Sequence, residues 1–512
     1  MYPGAYLATS PNKPAIVSAD TGRIVTFAEL ESKSIRIART FRHDLGLEMG
    51  DHVAVVSTNR VELFDVYWAA MRSGLYVTMV NWHLTPAEAA YIVDDCDAKV
   101  VIVDSALEEI AAPLRESASR VDHFLSFAGR IADYTDLDEL SRSHSDEPLP
   151  VQPRGADMLY SSGTTGTPKG IKPDLPDREI HEAGDPMTVM NATFWGAGPS
   201  TVYLSPAPLY HAAPLRTCAS VTALGGTVVI VERFDAEQTL ALIEKYKITY
   251  GQFVPTMFVR MLRLSEATRR QYDISSLEVV VHAAAPCPVE IKRQMIDWWG
   301  PILSEYYSST ELNGLTLVDT AQWILKPGTV GRPVLGVLHV CADDGTEVEA
   351  GSIGRIYFER DKRPFEYHKA GEKTLQAQHP EHPAWTTTGD VGYVDDDGYL
   401  FLTDRDSFMI ISGGVNIYPQ EIENALLEHP LVLDAGVIGV PDPEMGELVV
   451  AVVQPNVGVE GTDAFASELV AFLGRGIAKY KLPRRVVFSV DLPRTPTGKL
   501  VKRTLVDRIP RI

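Results

Sequence analysis

Short valine-rich runs recur along this chain, among them HVAVVS at His52 to Ser57, KVVIVD at Lys99 to Asp104, TVVIV at Thr227 to Val231 and EVVVH at Glu278 to His282. Each is continuously apolar rather than alternating, so each reads as a strand covered on both faces. Between the runs lie stretches of helical spacing: Thr26 to Asp44, Glu62 to Arg72, Pro86 to Asp94, Ala236 to Tyr246 and Val289 to Trp298. The first opens with Thr26 three residues before Glu29, a capping-box pattern. Strand and helix in alternation predict a parallel, doubly wound α/β sheet. Lys172 to Pro186 is Pro-rich and charged and reads as a loop, and Asp361 to Pro383 reads as a second polar, irregular segment.

Near residue 400 the texture changes. DDDG at Asp395 to Gly398 is a tight turn between two short strands, LTDRD at Leu402 to Asp406 leads into Phe408 to Gly414, and Pro419 to His429 is a short helix with Pro in its first turn. Val449 to Gln454 is strand-like and a helix is expected around Phe465 to Tyr480. Roughly a hundred residues remain after the turn, enough for a small separate domain with its boundary at about Arg405.

At 512 residues the chain exceeds one core and has room for about two to four domains or subdomains. Its net charge of −21 is spread along the sequence, which argues against nucleic acid as a partner. Cys96, Cys218, Cys287 and Cys341 are far apart, with no CxxC pair and no His at metal spacing, a pattern that fits a reducing cytosol. The first twenty residues lack a basic start and an apolar core, and no run of about 18 apolar residues occurs, so a cytoplasmic protein without an integral membrane segment is expected.

The most informative stretch for chemistry is YSSGTTGTPKGI at Tyr160 to Ile171. Gly163 and Gly166 let backbone N–H groups approach an anion, Ser161, Ser162, Thr164, Thr165 and Thr167 offer hydroxyl donors, and Lys169 adds a compact positive charge. That is a phosphate cradle. It is not a Walker A loop, because Lys169 follows Pro168 and precedes Gly170.

Further blocks follow in order: YYSSTELNG at Tyr306 to Gly314, TTGD at Thr387 to Asp390, LTDRDSFMIISGGVNIYPQEIE at Leu402 to Glu423 and PRTPTGKL at Pro493 to Leu500. Together they resemble the adenylate-forming superfamily of acyl-CoA synthetases, luciferases and peptide-synthetase adenylation domains. The resemblance covers nearly the whole chain. It implies a large N-terminal domain, residues 1–404, of doubly wound α/β subdomains plus a small β-barrel-like part, and a small mobile α+β C-terminal domain, residues 405–512. It also implies a two-step reaction: a carboxylate attacks the α-phosphate of ATP, giving an acyl-adenylate and pyrophosphate, and a thiol, usually that of coenzyme A, then displaces AMP.

The resemblance assigns roles block by block. Ser161 to Gly170 would hold the β- and γ-phosphates, with Thr164 and Lys169 foremost. Thr310 would donate to the α-phosphate and Glu311 would bind the bridging Mg2+, a hard cation that wants carboxylate oxygen. Ser308 stands where relatives usually carry Gly. Asp390 would accept the ribose hydroxyls and Arg405 would donate to the same ribose. Tyr307 would stack on adenine, with Ala285 of the run AAAPCP at its edge. Lys499, in TPTGK, is the implied catalytic lysine that reaches the oxygens between carboxylate and α-phosphate. Asp406 and Ser407 fall where the family bends, and Gly413 and Gly414 would pass the pantetheine arm. Lys479, Lys481 and Arg484 form a basic cluster that suits either the coenzyme's phosphates or a solvated face.

The acyl site is less defined. PLYHAAPL at Pro208 to Leu215 sets His211 where relatives carry a ring beside the carboxylate or thiol tunnel. Phe194, Trp195, Phe253, Val254, Met257, Ala283, Leu312 and Leu335 are apolar neighbours of the blocks that suit either a pocket wall or plain core. The loop after Ile171 lacks the Thr-His of many relatives, which points to bulky apolar acids: fatty, steroid-derived or aromatic. The leading reading is an acyl-CoA ligase using ATP, Mg2+ and coenzyme A. A carrier-protein-loading enzyme, a luciferase-like oxygenase and a non-catalytic relative are the alternatives, and a homodimer is compatible with each. An amino-acid adenylation module needs an early acidic residue, for which Asp235 is the candidate, although Asp235 also reads as the start of helix AEQTLALIEKY.

Overall fold

A computed structural model describes residues 1–161, 168–405, 408–412, 415–442, 445–495, 500–506 and 509. The valine-rich runs divide between two sheets, one all-parallel and one mixed. His52–Val56 and Ala98–Asp104 are central in a six-stranded sheet whose order is Thr135–Asp136, His123–Phe127, Ala98–Asp104, His52–Val56, Tyr76–Val80, Ala156–Asp157. Every pairing in it is parallel. His52–Val56 is buried along its whole length, as continuous apolar character requires.

The second sheet has nine strands, in the order Arg332–Leu335, Leu315–Asp319, Leu303–Ser308, Val279–His282, Tyr250–Phe253, Val202–Ser205, Thr227–Ile230, Pro14–Ser18, Ile24–Thr26. It is parallel from Leu303–Ser308 to Pro14–Ser18 and antiparallel at both ends. Thr26 ends the last strand and caps helix Phe27–Arg39: its hydroxyl accepts from Glu29 N–H and the Glu29 carboxylate accepts from Thr26 N–H, a box of the kind that stabilises a helix by about 1 kcal/mol. A π-helical turn, Thr40–Asp44, completes the expected segment. Asp235 is a helix cap as well, its carboxylate accepting from Gln238 N–H.

Two departures from the sequence reading have local causes. The segment expected to be irregular holds strand Glu366–Tyr367 and helix Gly371–Gln376, elements too short to show a period. The helix expected to run to Tyr480 is Asp463–Leu473, stopping before Gly474 and Gly476, with a separate 3-10 turn at Lys479–Lys481.

Three smaller sheets complete the fold. Leu159–Ser161, Lys169–Lys172 and Glu366–Tyr367 form an antiparallel three-stranded sheet. Val337–Cys341, Gly354–Glu359, Asp390–Val394 and Leu400–Arg405 form an antiparallel sheet with Trp385–Thr386 attached. The C-terminal part has its own five-stranded sheet and its own core, in which Ile410, Ile422, Leu426, Val437, Ala451 and Leu469 are buried together. Arg263 of the large part reaches across to it, donating to Leu433 O at 2.6 Å. Among the described residues, no helix is long and apolar enough to cross a membrane. Cys96, Cys218, Cys287 and Cys341 are free thiols.

Candidate active site

The candidate phosphate loop connects two strands of a hairpin. Leu159–Ser161 and Lys169–Lys172 pair antiparallel with Ser161 opposite Lys169, so both ends of the loop are fixed. Residues 162–167, which include Ser162, Gly163, Thr164, Thr165 and Gly166, lie outside the described residues. The hairpin is anchored behind the loop: Tyr160 Oη donates to Asp95 at 2.6 Å, and a Cβ at Gly170 would come within 2.5 Å of the Met158 side chain and 2.9 Å of the Tyr160 ring.

Lys169 and Glu311, far apart in sequence, meet at one residue. Lys169 Nζ sits 4.8 Å from the centre of the Tyr367 ring, and Tyr367 Oη donates to Glu311 Oε1 at 2.9 Å. Burial lowers the Lys169 pKa, as does Lys373, and Glu311 opposes both. Tyr367 was not singled out from the sequence. Its only signal there is position, in a two-residue strand paired with Ile171 and Lys172 beside the hairpin.

Thr310 and Glu311 occupy a turn between strands Leu303–Ser308 and Leu315–Asp319. The turn is held from several sides. Arg216, fixed by Asp157 at 2.7 Å, donates to Thr310 O at 3.4 Å, and Arg360 donates to Leu312 O at 3.0 Å. Ser309 Oγ donates to Asn313 Oδ1 at 2.9 Å while Asn313 Nδ2 donates to Thr386 O at 3.2 Å. Ser308 Oγ donates to Gly314 O at 2.7 Å, so its hydroxyl is used within the turn. Gly314 is required by space: a Cβ there would lie 2.0 Å from the buried Phe358 ring. Leu312 takes a left-handed φ of 50°.

Three of the nucleoside candidates, Tyr307, Asp390 and Arg405, come together. Tyr307 Oη and Thr388 Oγ1 both donate to Asp390 Oδ2, at 2.8 and 2.9 Å, which fixes a carboxylate that is 7% exposed. Arg405 pairs through its backbone with Asp390; its side chain lies outside the description. Ala285 is half-buried, in the turn after strand Val279–His282, and Ala284 beside it has a φ of 76°, an uncommon conformation for a residue with a Cβ.

The acyl candidates separate into two groups. Ala283 and Trp195 belong to the core layer that also holds Tyr250 and Tyr306, and Trp195 Nε1 donates to Ser304 Oγ at 3.1 Å. Phe253 and Val254 belong to the opposite core layer, where the Phe253 ring packs on Phe258 and Trp299. His211 stands at the N-cap position of helix Ala212–Ala223 without a capping hydrogen bond from its side chain, and its ring lies 4.5 Å from that of Tyr210. Lys499, Asp406, Ser407, Gly413 and Gly414 lie outside the described residues.

Residues 5–362 match the family of AMP-binding enzymes, and residues 421–499 match the AMP-binding enzyme C-terminal domain. The chain belongs to the AMP-binding enzyme family. Among family relatives, the long-chain-fatty-acid–CoA ligase FadD13 of Mycobacterium tuberculosis is 30% identical over 508 residues, covering 97% of this chain and 95% of the relative. The fatty acid–[acyl-carrier-protein] ligase ScoC of Streptomyces coeruleorubidus is 31% identical over 511 residues, covering 97% and 94%. The crystal structure of ATP-bound MatB from Rhodopseudomonas palustris superposes with a TM-score of 0.84 at 28% identity and 99% coverage of both chains. The two family matches fall on the two parts of the fold that have separate cores.

Proposed function

We propose that this AMP-binding enzyme is an AMP-forming acyl-CoA ligase of the cytoplasm that activates a hydrophobic carboxylic acid, fatty or aromatic, through an acyl-adenylate. The observation that carries the reading is the meeting of Lys169 and Glu311 at Tyr367, at the foot of the glycine-rich hairpin and in the same molecule as the Tyr307–Asp390 pair. In this reading the hairpin loop and Lys169 hold the β- and γ-phosphates, and Asp390 takes the ribose. In-line attack by the acid carboxylate on the α-phosphorus forms one P–O bond and breaks another, and pyrophosphate leaves with both bonding electrons. Donors fixed beforehand at the α-phosphate stabilise the added charge, the role given to Thr310.

Glu311 is one carboxylate, and among the described residues no group of three His, Cys, Asp or Glu is set to hold a metal. A single hard oxygen beside a phosphate loop suits magnesium carried in on the nucleotide, which keeps several waters and needs no protein cage. When bound, the ion would neutralise phosphate oxygens; Glu311 would orient it, and Tyr367 would orient Glu311. Residues 405–512 would then turn about Asp406 and Ser407, withdrawing Lys499 and admitting the thiol past Gly413 and Gly414, so that sulfur attacks the acyl carbon and AMP leaves.

Support for coenzyme A as acceptor comes from FadD13, named a CoA ligase, and support for a second reading, transfer to a carrier protein, comes from ScoC. Pyrophosphate release against a panel of fatty and aromatic acids, with ATP and magnesium, separates them. Turnover that rises with coenzyme A supports the ligase. A burst of about one equivalent that only a phosphopantetheinyl carrier protein converts to turnover supports the second reading. No pyrophosphate with any acid refutes both.

A further inference from the structure

The six-stranded sheet has a crevice of its own. Chain order reverses between His52–Val56, which continues to one side, and Ala98–Asp104, which continues to the other, and open parallel sheets bind ligands outside the carboxyl ends of strands at such a point. The loops leaving these two strands are joined by Asp104, whose carboxylate accepts from Thr58 Oγ1 at 2.7 Å, Arg60 Nη1 at 2.9 Å and Ala106 N–H at 2.9 Å. Beside the crevice opens a cleft of about 450 Å³ that shares no residue with the candidate active site.

Arginine dominates its wall. Arg23, Arg36, Arg60 and Arg142 line it with Lys33, against two lining carboxylates, Glu62 and Asp138. The carboxylates hold some of the cations in place: Glu62 binds Arg23 and, at 3.5 Å, Arg60, while Lys33 sits 2.9 Å from Asp138 and 3.0 Å from Asp65 behind it. Two cations are left under-used. Arg142 has no ion-pair partner among the described residues, and Arg36, paired with Asp146 at 3.2 Å, keeps a buried Nε with no acceptor. A wall with an excess of forked guanidinium donors, in a chain of net charge −21, attracts a compact multivalent anion and matches the geometry of phosphate. The volume exceeds what the anion alone needs and falls within the range of small-molecule sites.

From this geometry we infer that the cleft is a second ligand site, distinct from the nucleotide site, that binds a small phosphate monoester through Arg142 and Arg36. The loop that carries Arg60 also carries Asn59, which donates to Ala207 O and Val231 O at 3.1 and 2.9 Å and accepts from Leu209 N–H at 2.8 Å, two residues before His211. The site therefore abuts the loop that leads to the acyl candidates.

Isothermal titration of the full chain with glycerol 3-phosphate tests the assignment, with inorganic phosphate as the second probe. Glycerol 3-phosphate should bind more tightly than inorganic phosphate. Arg142→Gln and Arg36→Gln should each weaken it about tenfold, and Lys169→Gln should leave it unchanged. Arg142 is exposed and has no ion-pair partner among the described residues, so its variant keeps the fold. Absence of binding at millimolar probe overturns the proposal. So does affinity that ignores Arg142 and Arg36, and so does affinity that follows Lys169, which would put the probe in the nucleotide site. Equal affinity for the two probes overturns the ester.

Discussion

Replacing Tyr367 by Phe removes one hydroxyl and keeps the ring, which separates two contacts made by a single residue. The hydroxyl donates to Glu311 at 2.9 Å, and the ring lies 4.8 Å from Lys169 Nζ. A hydrogen bond to a carboxylate contributes roughly 1.5–3 kcal/mol, and Glu311 is only half-buried, so the lower end applies: about 1.5 kcal/mol, or tenfold. The cation–π contact, about 0.5–1 kcal/mol, survives in Phe and is lost in Ala. Tyr367→Phe should therefore lower kcat/KM for ATP about tenfold in pyrophosphate release, with the deficit widening as magnesium is made limiting and thermal stability nearly unchanged. Tyr367→Ala should fall further. The same Phe substitution in a Glu311→Gln background should cost much less, because the partner charge is gone. An equal loss in both backgrounds, or wild-type kinetics at limiting magnesium, refutes the idea that Tyr367 orients Glu311.

Gly314→Ala should destabilise the large domain by about 1–3 kcal/mol and impair ATP use, because its Cβ would lie 2.0 Å from the Phe358 ring; Phe358→Leu in the same chain should recover much of the melting temperature, and no recovery would refute the clash. His52 is 5% exposed and burial, with Lys172 and His368 adding repulsion, pushes its pKa down to about 3. The unfolded chain binds a proton near pH 6.5 that the folded chain refuses, so stability falls as pH drops through the window from 6.5 to 3, by about 2 kcal/mol at pH 5. His52→Gln should flatten the melting temperature between pH 7.5 and 5, and an unchanged slope would show that the ring is not held neutral. Lys499→Ala should abolish adenylation while largely sparing thioester formation from a supplied acyl-adenylate; equal loss of both half-reactions, measured separately, would contradict its assigned role.

The strands were legible because burial on both faces leaves a one-dimensional signature: the predicted His52–Ser57 is the observed His52–Val56, and the predicted Glu278–His282 is the observed Val279–His282. Partner choice leaves none. Pro14–Ser18 joins a sheet whose other parallel members begin at Val202, because its neighbour Thr227–Ile230 presents an equally apolar edge that local pattern does not specify. The family was legible for the opposite reason, since its motifs are runs of Gly, Thr, Lys and Glu at fixed offsets that need no knowledge of the fold, and residues 5–362 and 421–499 match its two models. Residues that support the motifs were hidden. Tyr367 lies in a two-residue strand without periodicity, and Arg216 and Asp157 each look like ordinary charges until their ion pair is seen behind Thr310. Phe253 shows the converse limit: an apolar residue beside a motif has even claims to pocket and core, and its ring lies against Phe258 and Trp299.

Tyr306 and Tyr307 are adjacent on strand Leu303–Ser308, so the pleat sends them to opposite faces. Tyr306 is 9% exposed and accepts from Gln252 Nε2 at 2.9 Å, inside the layer that holds Trp195 and Ala283; Tyr307 reaches the other way, to Asp390. The face on the candidate acyl side and the face on the nucleoside side are thus two sides of one strand. Its register, with Tyr306 opposite Leu317 and Tyr307 opposite Thr316, sets both at once. A slip of one residue would exchange them, burying the hydroxyl that meets Asp390 and exposing the one that satisfies Gln252. The antiparallel return Leu315–Asp319 opposes that slip along its whole length, from Leu315 opposite Ser308 to Asp319 opposite Ser304, and the turn before it packs Gly314 so closely on the Phe358 ring that no side chain fits there, so Tyr306 and Tyr307 each keep their own face.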